Sequence, residues 1–236
     1  MAVLIRYAGG IPPIPSINLG IGAEIIYSFV IIFCSLMIYF GTREIYDLSS
    51  YKGIKYFRQA FLFFAIAYFF RLFIQFVVAS FNIHEILELY PLAIGYASIL
   101  IFMYFSTMSI FYLIYSVKWK RWENNSKMIY FFHAIAILIS LATIIFDKPY
   151  FYLGLNAVLF VSAGILIFLS SRTQKSKSRR KNRFDKVYLL LLVFLVLNII
   201  NILVPIFLET VKLFLYLTSL SIFFVILYKV LKKSGD

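Results

Sequence analysis

The chain has 236 residues, 63% of them apolar and only 14% charged, which is too little charge for a water-soluble globule, where about a quarter of residues are charged. A formal net charge of +13 would suit a nucleic-acid binder, but the positions of the charges exclude that reading, as set out below. The composition predicts an all-α, polytopic integral membrane protein whose spans use nearly the whole chain, with no room for a separate soluble domain.

Residues 1–20, "MAVLIRYAGGIPPIPSINLG", lack the continuous apolar core that follows the basic start of a signal peptide. Their Pro-rich half suits an extended segment, so they are expected to form a short retained tail. The bundle proper is expected over 21–228. Seven apolar stretches lie at about 21–41, 57–80, 91–116, 128–146, 151–170, 187–208 and 212–228. Their lengths suit a hydrocarbon core ~30 Å thick at ~1.5 Å per helical residue. Helices are required because lipid offers no partner to an unpaired backbone group. Residues 229–236 form a short basic tail. Cys34, within the first stretch, is the chain's one cysteine, so an intramolecular disulfide is impossible.

Polar breaks divide the stretches, and they alternate in charge. The segments 43–58, 117–127 and 171–186 and the tail from 229 carry 19 of the 23 basic residues. The opposite side holds Arg6, Lys148 and Lys212, and Arg71 is the one that remains. The positive-inside rule then predicts a seven-transmembrane bundle with the N-terminus outside and the C-terminus cytoplasmic. Within "RTQKSKSRRKNRFDK", Lys175, Lys177, Arg179, Arg180, Lys181 and Arg183 form a basic cytoplasmic loop. Such a loop suits anionic lipid headgroups or an acidic partner protein, cytoplasmic or membrane-bound, rather than nucleic acid. Trp119 and Trp122 flank "KWKRW", where an interfacial aromatic belt is expected.

Arg71 interrupts the apolar run "FFAIAYFFRLFIQFVV". It lies roughly 21 Å from the cytoplasmic end of its span and ~14 Å from the outer end. A charge at that depth costs at least ~2.5–3.5 kcal/mol, so it needs a partner. Snorkelling is awkward, because side chains tilt toward the helix N-terminus, which here points away from the nearer surface. Arg71 is therefore expected to face the bundle interior. Ala60, Ala67, Arg71 and Gln75 share one stripe of the helix, with Tyr68 beside it.

Glu24 in the first span is the candidate counter-ion. Asn156 in the fifth span and Asn198 and Asn201 in the sixth lie in the same outer half, and Glu209 caps the sixth span. Together these residues predict an outer-half polar cluster. It serves either as interhelical glue, at ~0.6 kcal/mol per bond, or as the lining of a cavity for a polar or anionic ligand. Pro205 removes one backbone donor near the end of the sixth span and is a hinge candidate, or an ordinary helix-end proline.

No catalytic or metal constellation is visible, and neither an enzymatic role nor a cofactor is expected. His84 and Glu88 in "NIHEILEL" stand at i, i+4, a spacing more typical of a solvated amphipathic stretch than of a metal site. His133 reads as an interfacial or interhelical hydrogen-bonding residue. The topology resembles that of retinal proteins and seven-helix receptors, but a retinal Schiff base needs a lysine deep in the last span. Residues 213–228 contain none and Lys212 sits at the span's end, so no retinal is expected. Two matched three-helix repeats, as in seven-span sugar transporters, would place a counterpart of Pro205 in the second span, and there is none.

The favoured expectation is a receptor-like or sensory protein that signals through its cytoplasmic loops to a separate partner. A small-solute transporter or channel is the second expectation. The aromatic cytoplasmic half, with Phe57, Phe61, Phe64, Phe131 and Phe132, weighs against it. An accessory subunit of a larger membrane complex is the third.

Overall fold

A computed structural model describes residues 19–81, 90–122, 127–146, 182–203 and 209–232, with isolated positions between 154 and 165. Among these residues the elements are all helical. They are α1 (Leu19–Gly41), a short α2 (Arg43–Ser49), α3 (Lys52–Phe81), α4 (Tyr90–Trp122), α5 (Lys127–Phe146), α6 (Asn182–Leu203) and α7 (Glu209–Leu231).

Four segments are long and apolar enough to cross a membrane: Gly22–Ser49, Lys52–Ile74, Ala97–Lys120 and Thr210–Leu231. Among the described residues the protein is thus all-α, with four helices long and apolar enough to cross a membrane, a coarser statement than the seven spans expected from the sequence. The apolar parts of α5 and α6 are shorter, Lys127–Ala142 and Val187–Asn198. Most of the expected span 151–170 lies outside the described residues.

Element boundaries depart from the apolar runs for a physical reason. Hydropathy marks where lipid ends, whereas a helix continues for as long as its backbone hydrogen bonds can be made. So α3 begins at Lys52 rather than near 57, and α4 runs through the charged "VKWKRW" to Trp122. The polar segment "REIYDLS" forms α2, and Ser50 ends it in the left-handed region, at φ 50°, with its N–H donating to the Tyr46 carbonyl at 2.8 Å.

α3 packs against both α1 and α4, α5 against α4, and α7 between α1 and α6. Pairing of Glu24 with Arg71 at one end of α1 and of Tyr39 with Arg58 at the other makes α1 and α3 antiparallel. Side chains of α6 reach both α3 and α4: the Phe64 and Phe194 rings lie 5.6 Å apart, and the Ser116 and Tyr188 hydroxyls are 2.9 Å apart. Buried positions follow the helical period. Tyr27, Ile31, Cys34 and Ile38 line the inner face of α1, while Phe29, Phe33 and Phe40 point outward. On α3, the buried Ala60 and Ala67 let neighbouring helices approach, and Phe69, Phe73 and Phe76 face out.

Candidate ligand-binding site

At the Glu24 end of the bundle, α1 and α3 each present two polar residues three positions apart, Glu24 with Tyr27 and Tyr68 with Arg71. That spacing puts both members of each pair on one helix face. Arg71 forms an ion pair with Glu24. Its Nη2 donates to Glu24 Oε1 at 2.6 Å and its Nε to the same oxygen at 3.2 Å. The geometry is not the parallel fork in which each carboxylate oxygen takes one N–H. The second carboxylate oxygen and the remaining guanidinium nitrogen have no partner among the described residues. The side chains are 15% (Arg71) and 28% (Glu24) exposed, so the pair is only partly buried.

One layer deeper lie three tyrosines and an asparagine. Tyr27 and Tyr68 both donate their hydroxyl hydrogen to Asn198 Oδ1, at 2.9 and 2.5 Å. The Asn198 amide nitrogen donates to the Phe194 carbonyl, four residues back on its own helix, at 2.9 Å. The Tyr27 ring packs edge-on to Tyr68, with centroids 6.0 Å apart, and against Tyr216 of α7 at 4.6 Å. The Arg71 guanidinium sits 5.5 Å from the Tyr68 ring centroid, within cation–π range. One polar layer thereby joins α1, α3, α6 and α7.

Beneath it the core carries a stack of aromatic rings. Phe64, Phe194 and Phe223 are in mutual ring contact at 4.9–6.1 Å, and Phe61 reaches Phe223 at 6.1 Å. Phe57 continues the column to Tyr188 at 5.6 Å. An ion pair, a hydrogen-bonded tyrosine layer and a stack of aromatic rings therefore follow one another along the bundle axis. This arrangement can hold a polar group at one end, above a stack of rings.

Of the residues singled out from the sequence, the structure brings together Glu24, Tyr68, Arg71 and Asn198. Gln75 lies in α3, and Asn201 and Arg183 in α6, with their side chains outside the described residues. Asn156, Pro205, Lys175, Lys177, Arg179, Arg180 and Lys181 lie outside them altogether, as do His84, Glu85 and Glu88. Sequence reasoning missed Tyr27 and Tyr216. The available signal was that Tyr27 follows Glu24 by three positions, but in a chain with 18 tyrosines that spacing does not stand out. His133 is hydrogen-bonded between helices, to Tyr104 of α4 at 2.7 Å. Among the described residues, no group of three His, Cys, Asp or Glu could hold a metal ion.

The chain is 32% identical over 225 residues to an uncharacterized protein of Archaeoglobus fulgidus, a match covering 94% of this chain and 96% of that one. No family model matches the chain. No solved structure matches it.

Proposed function

We propose, for a chain that belongs to one family with the uncharacterized Archaeoglobus fulgidus protein, a receptor-like role at the cell membrane. In this reading a small polar or anionic ligand enters from the outer side and engages Arg71. The bundle has seven spans, with the N-terminus outside and the basic loops cytoplasmic. Those loops pass the signal to a separate protein partner. The observation that carries the reading is the half-satisfied, partly exposed Arg71–Glu24 pair standing over a column of aromatic rings.

An anion competes with Glu24 for Arg71, and releasing Glu24 uncouples α1 from α3 at that end. α1 is also tied to α3 at its far end, where Arg58 Nε donates to the Tyr39 carbonyl at 3.0 Å, next to α2. Loosening one tie changes the load on the other, which gives the site a path to the cytoplasmic surface. The ring stack weighs against permeation in this conformation, so a transporter would have to break several aromatic contacts to open.

The test is a thermal-stability screen of the purified protein against acetate, phosphate, short dicarboxylates and amino acids. A ligand at about a hundred times its Kd stabilises the folded state by ~2.7 kcal/mol, a shift easily read. The expected result is a rise in Tm for wild type that is absent in Arg71→Leu/Glu24→Gln, where the pair is replaced by neutral groups. A rise that survives in that variant would remove Arg71 from the site.

A further inference from the structure

The unused atoms of the Arg71–Glu24 pair complement each other, and together they describe a ligand. Both contacts of the guanidinium run to Glu24 Oε1. Glu24 Oε2 is thus an acceptor without a donor, and Arg71 Nη1 carries two N–H groups without an acceptor, among the described residues. The layer beneath supplies neither need. Tyr27 and Tyr68 have one hydroxyl hydrogen each, and both are given to Asn198 Oδ1. What the pair offers a small molecule is therefore donors on one helix and an acceptor on the other.

Charge is the second constraint. The pair sums to zero, and Glu209 and Lys212, which open α7 at the same end, also cancel in formal charge. An anion alone on Arg71 displaces Glu24 and leaves a partly buried carboxylate without its cation. Breaking a buried pair in that way costs more than the pair itself is worth. A cation alone on Glu24 leaves the guanidinium bare by the same logic. A molecule carrying both charges avoids either loss. Its carboxylate takes Arg71, its ammonium takes Glu24, and two ion pairs replace one with no net charge added. Inserted between the two side chains, it occupies the space that they give up as they part, so no open cavity has to stand there beforehand.

We propose that the Arg71–Glu24 pair opens to take a small zwitterion of the α-amino acid class, with the carboxylate on Arg71 and the ammonium on Glu24. This names the ligand class for the receptor reading above and rests on that reading.

The experiment is equilibrium binding of glycine and L-alanine to the full chain in nanodiscs. Each is compared with the molecule lacking its ammonium, acetate or propionate, and the one lacking its carboxylate, methylamine or ethylamine. The expected result is saturable binding of the amino acids, roughly tenfold or more tighter than either fragment, since each fragment strands one buried charge. Arg71→Leu/Glu24→Gln abolishes it. Glu24→Gln alone leaves Arg71 without a counter-ion, so there the plain carboxylate becomes the better complement and the order inverts. Acetate and propionate that match the amino acids on wild type, and are lost in the double variant, would overturn the zwitterion while keeping an anion receptor. An amino-acid preference unchanged in Glu24→Gln would also overturn it, because the ammonium would then be held elsewhere. Binding that survives in the double variant, or none of any probe to wild type, would overturn both readings. If Glu24→Gln does not fold, the comparison on wild type still decides.

Discussion

Asn198 shows how cheaply a buried polar layer tolerates single losses. Its Oδ1 accepts from both Tyr27 and Tyr68, so removing either hydroxyl leaves the acceptor paired. Tyr27→Phe and Tyr68→Phe should each cost on the order of 0.6 kcal/mol, the average for an interhelical bond in a membrane. The double variant leaves a buried acceptor bare, at ~1–3 kcal/mol, so its cost should exceed the sum of the singles. Equilibrium unfolding of the four proteins in one detergent measures this. Strict additivity would mean that the two hydroxyls do not share the oxygen. Arg71 was legible in the sequence because a charge deep in an apolar run has to be explained. Tyr27 and Tyr216 were not, because nothing in their local sequence separates a hydrogen-bonded or packed ring at the site from any other tyrosine of the chain.

At the scale of elements, the contact between α1 and α3 at the α2 end rests on Arg58. Its Nε donates to the Tyr39 carbonyl at 3.0 Å, and its guanidinium lies 4.8 Å from the Tyr39 ring centroid. A charge-assisted bond contributes ~1.5–3 kcal/mol and a cation–π contact ~0.5–1 kcal/mol, both reduced by the partial exposure of the side chain. Arg58→Ala should therefore destabilise by about 1–2 kcal/mol and speed hydrogen exchange in residues 43–49. Arg58→Lys should recover only part of the loss, because an ammonium lacks the planar fork. Unchanged exchange in α2 would show that α1 is held there by other contacts.

The same end of the bundle shows where reading the sequence stops. The apolar runs of α1, α3, α4 and α7 stand out because lipid imposes a length on them. α2 and the last turns of α4 are helices in polar sequence, and hydropathy has no signal for those. Packing order is likewise hidden. Nothing in "VYLLLLVFLVLN" tells Phe194, which enters the ring column, from the outward Val196.

For the whole molecule, the charge pattern makes a claim about sidedness. In a Cys34→Ser background, a cysteine at Ser16 should react with an impermeant thiol reagent on intact cells, and one at Ser176 should react only after permeabilisation. The opposite pattern would invert the proposed orientation, and labelling at both positions would change the parity of the span count. The aromatic column has an electrical consequence too. Membrane voltage falls mainly across apolar, water-poor interior, and the rings from Phe57 to Phe194 lie in the buried core. A full elementary charge carried through the whole drop is worth ~2.3 kcal/mol per 100 mV. The resting Arg71–Glu24 pair has no net charge and meets that field only as a dipole. In the proposed reading, a plain anion seated on Arg71 would add a charge at the edge of that layer, so its occupancy would be a function of membrane potential. On that reading the ring stack would make the anion-filled site a voltmeter.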